Sequence, residues 1–316
     1  MKSKLFLFPL FLFLFLIFIT YYLRPDLPQT LNNPPNISLP FLKSEDVPKE
    51  ITLIAAGDVM LGRAVNGRIH QNRDFTYPFL KSASFLKEAD ITMINLEAPF
   101  VENCPITNTG MIFCADLESV AGLVFAGIDI ANIANNHIGN YGKKGLIKTI
   151  DLLRENNIHP IGSLLFDDSQ DSIINVKGLT LGFLDFNLVD KYEPSIIFNQ
   201  INQLKSRVDI LIISVHWGVE YQKQPTKTQI ELAHQMIDSG ASLIIGHHPH
   251  VVQPTEEYHG KLIIYSLGNF VFDQPWSEET KKGMVAKITF KDKKIIKSEF
   301  TKIYIPNTYQ PELVTE

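Results

Sequence analysis

"DILIISVHW", residues 209–217, "TKTQIELAHQMIDSG", residues 226–240, and "ASLIIGHHPH", residues 241–250, follow one another with only residues 218–225 between the first two. The first and third are short, Ile-rich apolar runs. The second carries apolar residues at helical spacing and stops at Gly240, so the three read as strand, helix and strand. Both strands end in histidine: His216 in the first, then His247, His248 and His250 in the second, in a chain with 9 histidines. In H-x-H spacing, with Pro249 restricting the backbone, the rings of His248 and His250 can reach one place.

The same grammar extends outward. "ITLIAAGD" (51–58), "ADITMINLE" (89–97), "DIANIANN" (129–136) and "LTLGFLDF" (179–186) read as buried strands, and "GKKGLIKTIDLLRENN" (142–157) reads as a helix. Near the C-terminus "KLIIYSLGNFVF", "GMVAKITF" and "KIIKSEFTKIYI" lack intervening helices, which predicts antiparallel pairing there and an α/β fold of mixed sheets. With 45% hydrophobic residues the chain can bury a sizeable core.

Five of these runs end abruptly in a metal-competent or amide side chain: Asp58, then Asn95 and Glu97, then Asn135, Asn136 and His137, then His216, then His247, His248 and His250. A single polar strand end is commonly a cap or turn residue. Five at the same end of their strands are not, because that edge is where open α/β sheets place ligands. Imidazole, carboxylate and amide oxygen together suit one or two divalent ions of the Mn, Zn or Fe kind. His234 on a helix face, and His70, His159 and His259 in loops or strand starts, read as ordinary structural histidines.

The remaining features bound the setting. Leu5 to Leu23 is an apolar run long enough to cross a bilayer core of about 30 Å. Lys2 and Lys4 precede it, which predicts residues 1–4 as a cytoplasmic stub, 5–23 as a single-pass cytoplasmic-membrane anchor and the rest outside the cytoplasm. The rival reading, a cleaved signal peptide, lacks a small-x-small site in "FITYYLRPD". Residues 24–50, rich in Pro and Asn, read as an extended linker, 51–306 as the folded domain and 307–316 as a tail. A net charge of −5 without a long basic block excludes a nucleic-acid partner. Cys104 and Cys114 fit either a local disulfide in an exported domain or two unrelated thiols.

The blocks "AAGDVMLGR" (55–63), "INLEAPF" (94–100), "IANNHIGNYGKKGL" (133–146), the run from "SVHWGVEY" to "HPHVVQP" (214–254) and "KLIIYSLGNFVFDQ" (261–274) closely resemble the bacterial capsule-synthesis family of CapA type, associated with poly-γ-glutamate production. That family is similar to calcineurin-like metallophosphoesterases. The resemblance implies a sandwich of mixed sheets flanked by helices, a two-metal site and phosphoester-type hydrolysis. An anionic cell-surface polymer or its precursor, the cell membrane and other capsule-synthesis membrane proteins are the implied partners. It also implies one metal on Asp58, Glu97 and His250, a second on Glu97, Asn136, His216 and His248, and His137 as the proton-handling catalytic residue.

Three departures accompany it. Met60 stands where the superfamily has a histidine, Asn95 competes with Glu97 for the bridging place, and Ile138 and Asn140 leave His137 without an acidic partner. A non-catalytic, polymer-binding role is the alternative these departures imply. Around the site, Glu220 is expected to orient a histidine, Trp217 to wall the site from water, and His247 to point away or meet substrate. Asn269 is expected to face substrate or satisfy a turn, and Arg63 to meet an anionic substrate or form a surface salt bridge.

Overall fold

The structure, a computed structural model, describes residues 50–162, 172–190 and 192–314. The expected anchor at 5–23, the stub before it and the linker up to residue 49 lie outside the described residues. Among the described residues no helix is long and apolar enough to cross a membrane.

In chain order the first half comprises β1 (Ile51–Val59), α1 (Arg63–Asn72), α2 (Ala83–Leu86), β2 (Ile91–Leu96), β3 (Phe100–Val101), β4 (Ala115–Asp116), α3 (Val120–Ala126), β5 (Ile130–Asn132), α4 (Gly142–Glu155) and β6 (His159–Ile161). The second half comprises β7 (Ile173–Val176), β8 (Leu179–Asn187), α5 (Pro194–Leu204), β9 (Ile210–His216), α6 (Lys227–Ser239), β10 (Leu243–His247), β11 (Thr255–Tyr258), β12 (Lys261–Ile264), β13 (Asn269–Val271), β14 (Lys282–Lys291), β15 (Lys294–Tyr304) and β16 (Glu312–Leu313).

Two mixed sheets result. One runs β16-β15-β14-β1-β2-β5-β6, with β13 also paired to β1; the other runs β11-β12-β10-β9-β8-β7. Their facing sides share one apolar core, in which Leu53, Met93 and Ile130 of the first sheet meet Phe183, Ile212 and Ile245 of the second. On its other side the first sheet packs against α1, α3 and α4 through Val65, Leu123 and Ile150. The second sheet's outer side packs on α5 and α6 through Ile201 and Met236. The order is therefore helix, sheet, sheet, helix, and the central strands β1, β2, β9 and β10, buried on two faces, read as near-continuous apolar runs.

Local chemistry fixes the elements. Thr226 and Gln229 form a reciprocal capping box at the start of α6, and Gly240, at φ 127°, ends it. "DIANIANN" is only half strand: β5 stops at Asn132, leaving Asn135 to His137 in the loop beyond. "KLIIYSLGNFVF" divides between sheets, β12 in one and β13 in the other, with the chain crossing at Gly268, whose φ is 67°. The sheet also continues past residue 306, where the sequence reading ended the domain, because Glu312 of β16 pairs with Tyr304 of β15.

Cys104 and Cys114 are joined, closing a loop of sequence separation 10. A loop of that size is worth about 3 kcal/mol by chain entropy. The double variant Cys104→Ala/Cys114→Ala is expected to lose about that much in denaturant unfolding; an unchanged midpoint would remove the disulfide from the stability account.

Candidate metal centre

Strand register assembles the site. Asp58 at the end of β1 lies opposite Asn95 of β2 on one side and Asn269 of β13 on the other, and His247 of β10 lies opposite His216 of β9. Both sheets thus present their polar strand ends at one edge. The approach of β13 depends on Gly57: a Cβ there would stand 2.0 Å from the Gly268 carbonyl oxygen. Only glycine lets the two backbones come so close.

Past β10 the chain turns back on itself. His248 (φ 94°) and His250 (φ 56°) both hold left-handed backbone, a conformation that costs a non-glycine residue on the order of 1–3 kcal/mol and collects at functional sites. The turn brings the His248 ring to 4.8 Å from that of His216, centroid to centroid. His247 Nδ1 stands 3.2 Å from Asp58 Oδ1, and His250 Nδ1 stands 3.1 Å from Asp58 Oδ2. His250 Nε2 is 3.5 Å and His137 Nε2 4.0 Å from Glu97 Oε1. His216 Nε2 meets Asn136 Oδ1 at 3.0 Å. Asp58 and Glu97 are fully buried.

Backbone donors fix the amides around them. Asn135 Oδ1 accepts the N–H groups of His137 and Ile138, so its Nδ2 is a donor and gives to Asn95 Oδ1 at 3.1 Å. Asn95 therefore turns its Nδ2 inward, donating to Asp58 Oδ1 at 2.9 Å and Glu97 Oε2 at 3.2 Å. Its oxygen accepts from Asn135, which serves as the brace behind it. Between Asn95 and Glu97, it is Glu97 that keeps an oxygen, Oε1, without a hydrogen-bond partner. Asn269 orients His250 by accepting from Nδ1 at 3.0 Å and is itself held by Gln274 and the Thr280 carbonyl. Asn140 Oδ1 accepts the Phe113 N–H, so the His137 Nδ1 that lies 3.1 Å from the same oxygen is the protonated nitrogen.

Electrostatics follow from burial. Burial works to raise the Asp58 carboxyl, but the adjacent imidazoles of His247 and His250 hold it well below the usual carboxylate range. Burial, with the charges of Asp58 and Glu220 adding to it against His250, pushes Glu97 up to about 8. His216 and His248 are lowered by burial and by neighbouring imidazoles, His248 to about 4. Both are neutral at physiological pH, the state in which imidazole binds metal.

The donors fit a divalent ion. Asp58 Oδ2, Glu97 Oε1, His247 Nε2 and His248 Nδ1 are buried without a hydrogen-bond partner. Orphaned buried carboxylate and imidazole atoms are expensive unless a ligand satisfies them. Two groups of ligand atoms each lie within 4.8 Å of one another: Asp58, Glu97 and His216, and Glu220, His248 and His250. That grouping differs from the division the resemblance implies, because His216 sits with Asp58, and His248 and His250 share Glu220.

Other expectations are corrected. Arg63 is buried, with Nε 3.1 Å from Asp273 Oδ1 and Nη1 2.8 Å from the Gly110 carbonyl, so it is neither open to an anionic substrate nor a surface salt bridge. Trp217 lies in the core under α6, its Nε1 donating to the Tyr265 carbonyl, and does not wall the site. His247 points inward at Asp58 instead of away. Met60 is packed with Ala98, Phe113 and Phe272, and its sulfur accepts the Gly62 N–H. Sequence reading missed Asp273 and Phe113; the first stands 210 positions from Arg63, and nothing local marks either.

The family model of the bacterial capsule synthesis protein PGA_cap matches residues 52–274. The chain is 33% identical over 262 residues to the capsule biosynthesis protein CapA of Bacillus anthracis, covering 75% of this chain and 63% of that one. It is 32% identical to the PGA biosynthesis protein CapA of Bacillus subtilis (strain 168), covering 72% and 65%. The chain thus spans less than two thirds of each of these relatives. In fold it is similar to a hypothetical protein from Thermus thermophilus, at a TM-score of 0.50 and 15% identity over 81% of this chain and 100% of that chain. The calcineurin-like superfamily fits this family and the sequence blocks noted above. With the family model covering most of the folded domain, the chain belongs to the PGA_cap family of bacterial capsule synthesis proteins.

Proposed function

We propose that this protein is a divalent-metal-dependent hydrolase of capsule or poly-γ-glutamate biosynthesis, acting by phosphoester-type chemistry on an anionic cell-surface polymer or its precursor. The observation that carries the reading is the buried convergence of Asp58, Glu97, His247 and His248, each with an unpartnered ligand atom. Asp58, Glu97, Asn136, His216, His248 and His250 would hold one or two ions of the Mn, Zn or Fe kind, with Glu220 beside the last two. A bound divalent ion supplies Lewis-acid polarisation of the scissile group and lowers the pKa of water to the neutral range.

The chain's own contribution is at His137. With its proton fixed on Nδ1 by Asn140, the neutral ring presents Nε2 toward the carboxylates. Burial lowers its pKa, against the hydrogen bond to Asn140, so the ring is a base at rest and passes a proton to a leaving oxygen only after taking one up. Asn140 orients it without adding charge.

Turnover of bis(p-nitrophenyl) phosphate by the purified protein, before and after chelation, is the test. Activity is expected to vanish with chelator and return with added metal. The specific observation favouring a non-catalytic, polymer-binding role is Met60, which gives the site a thioether turned to Gly62 in place of an imidazole. Bound metal with no turnover would select that reading.

The proposed setting is the outer face of the cytoplasmic membrane, with other capsule-synthesis membrane proteins as neighbours, supported by Lys2 and Lys4 ahead of the apolar segment. Alkaline phosphatase fused after Glu316 is expected to be active. Activity of a cytoplasmic reporter alone would reverse the topology.

A further inference from the structure

We infer that the loop closed by the Cys104–Cys114 disulfide is a positioning clamp for His137, acting through Phe113; the inference rests on the reading of His137 as the proton-handling residue. Phe113 immediately precedes the second cysteine and is buried to 1% exposure. Its ring lies on the His137 ring at 3.9 Å between centroids and 24° between planes. Its backbone N–H gives to Asn140 Oδ1, the oxygen that also takes the proton of His137 Nδ1. One residue of the loop thus fixes His137 twice, by covering its face and by orienting the amide that selects its tautomer.

The loop needs an outside restraint. Ile106, Met111 and Ile112 are exposed by 56%, 58% and 69%, so apolar packing does not hold its tip. Regular structure ends at β3 and resumes at β4. Between them the chain is held by the disulfide, by the Cys104 N–H to Asp116 Oδ1 at 3.0 Å, and by Arg63. The Arg63 guanidinium binds the Gly110 carbonyl, lies 4.6 Å over the Phe113 ring, and is anchored by Asp273. Arg63 at Gly110 and the disulfide at Cys114 therefore grip the loop on both sides of Phe113. His137 itself sits in the loop after β5, where a clamp is needed because proton transfer demands heavy-atom placement within about 2.6–3.2 Å of the partner.

The test is the ring-current displacement that a stacked phenyl imposes on the His137 carbon-bound protons, read in the full chain in detergent micelles with labelled histidine and assigned with His137→Gln. His234, stacked on Tyr258 at 3.8 Å and away from the loop, is the internal control for an intact fold. Phe113→Leu is expected to abolish the upfield displacement of His137 and leave His234 in place; Phe113→Tyr is expected to retain it. Cys104→Ala/Cys114→Ala is expected to move His137 in the same direction as Phe113→Leu, and so is reduction of the wild type if the double variant fails to fold. An unmoved His137 signal on loss of the disulfide would overturn the clamp. The catalytic reading fails separately, by phosphodiester turnover surviving in His137→Gln with metal content unchanged.

Discussion

Replacing His248 by alanine is expected to leave the purified protein with a small fraction of its wild-type metal, while Met60→Leu keeps nearly all of it. His248 contributes an unpartnered, buried Nδ1 and a ring that is neutral well below physiological pH. Met60 contributes neither, since its sulfur is engaged by the Gly62 N–H and its stem packs against Phe113 and Phe272. Losing a ligand from a small set costs more than the roughly 10–100-fold in affinity that removing an outer hydrogen-bond partner typically does. Elemental analysis of protein prepared without chelator decides it, and equal content in wild type and His248→Ala would remove the cluster as the metal site.

The same site has a definite pH sign. Burial disfavours the charged ring of His250, but Glu97 and Asp58 overcome it and raise the group to about 9, while Glu97 is itself raised to about 8. At neutral pH both groups hold protons that a metal must displace, so binding is linked to proton release. Affinity is expected to climb from about pH 7 to about pH 9 and flatten above. Calorimetric titration in two buffers of different ionisation enthalpy measures the protons released.

Much of this centre is legible in the primary structure because strand ends are. An apolar run that stops in Asp58, His216 or His247 announces both its strand and its edge, and parallel register then brings the ends together. Trp217 departs from expectation for a reason available in principle: it adjoins His216, and successive strand residues face opposite ways. The choice between Asn95 and Glu97 is not available to sequence reading, because it depends on which way an amide is turned by donors 40 residues along the chain. The Arg63–Asp273 pair and the Phe113–His137 stack are likewise products of tertiary closure. Hydrophobic periodicity carries no information about them.

Raising the pH from about 5 to about 9 is expected to narrow wild-type stability relative to Asp185→Asn by several kcal/mol. Asp185 lies on β8, its Oδ2 accepting the Ala134 N–H at 2.8 Å, and so ties the second sheet to the segment that carries Asn136 and His137. Around it is a cavity of about 420 Å³ lined in part by Ile133, Leu146, Phe186 and Ile197. Burial pushes the carboxyl up to about 8, with the Ala134 N–H opposing. Between the unfolded value near 3.9 and about 8 the folded chain keeps a proton that the unfolded chain has shed, so stability falls as pH rises and levels off above about 8. At about 1.4 kcal/mol per pH unit, the whole span amounts to roughly 6 kcal/mol at its limit, of which about 4 kcal/mol falls between pH 5 and 8. Asparagine keeps an oxygen for Ala134 and cannot ionise, so the variant lacks this slope. Denaturant unfolding of both proteins at the two ends of that range, under identical chelator, isolates the difference from the metal centre; parallel losses in the two would show that Asp185 enters the fold already ionised.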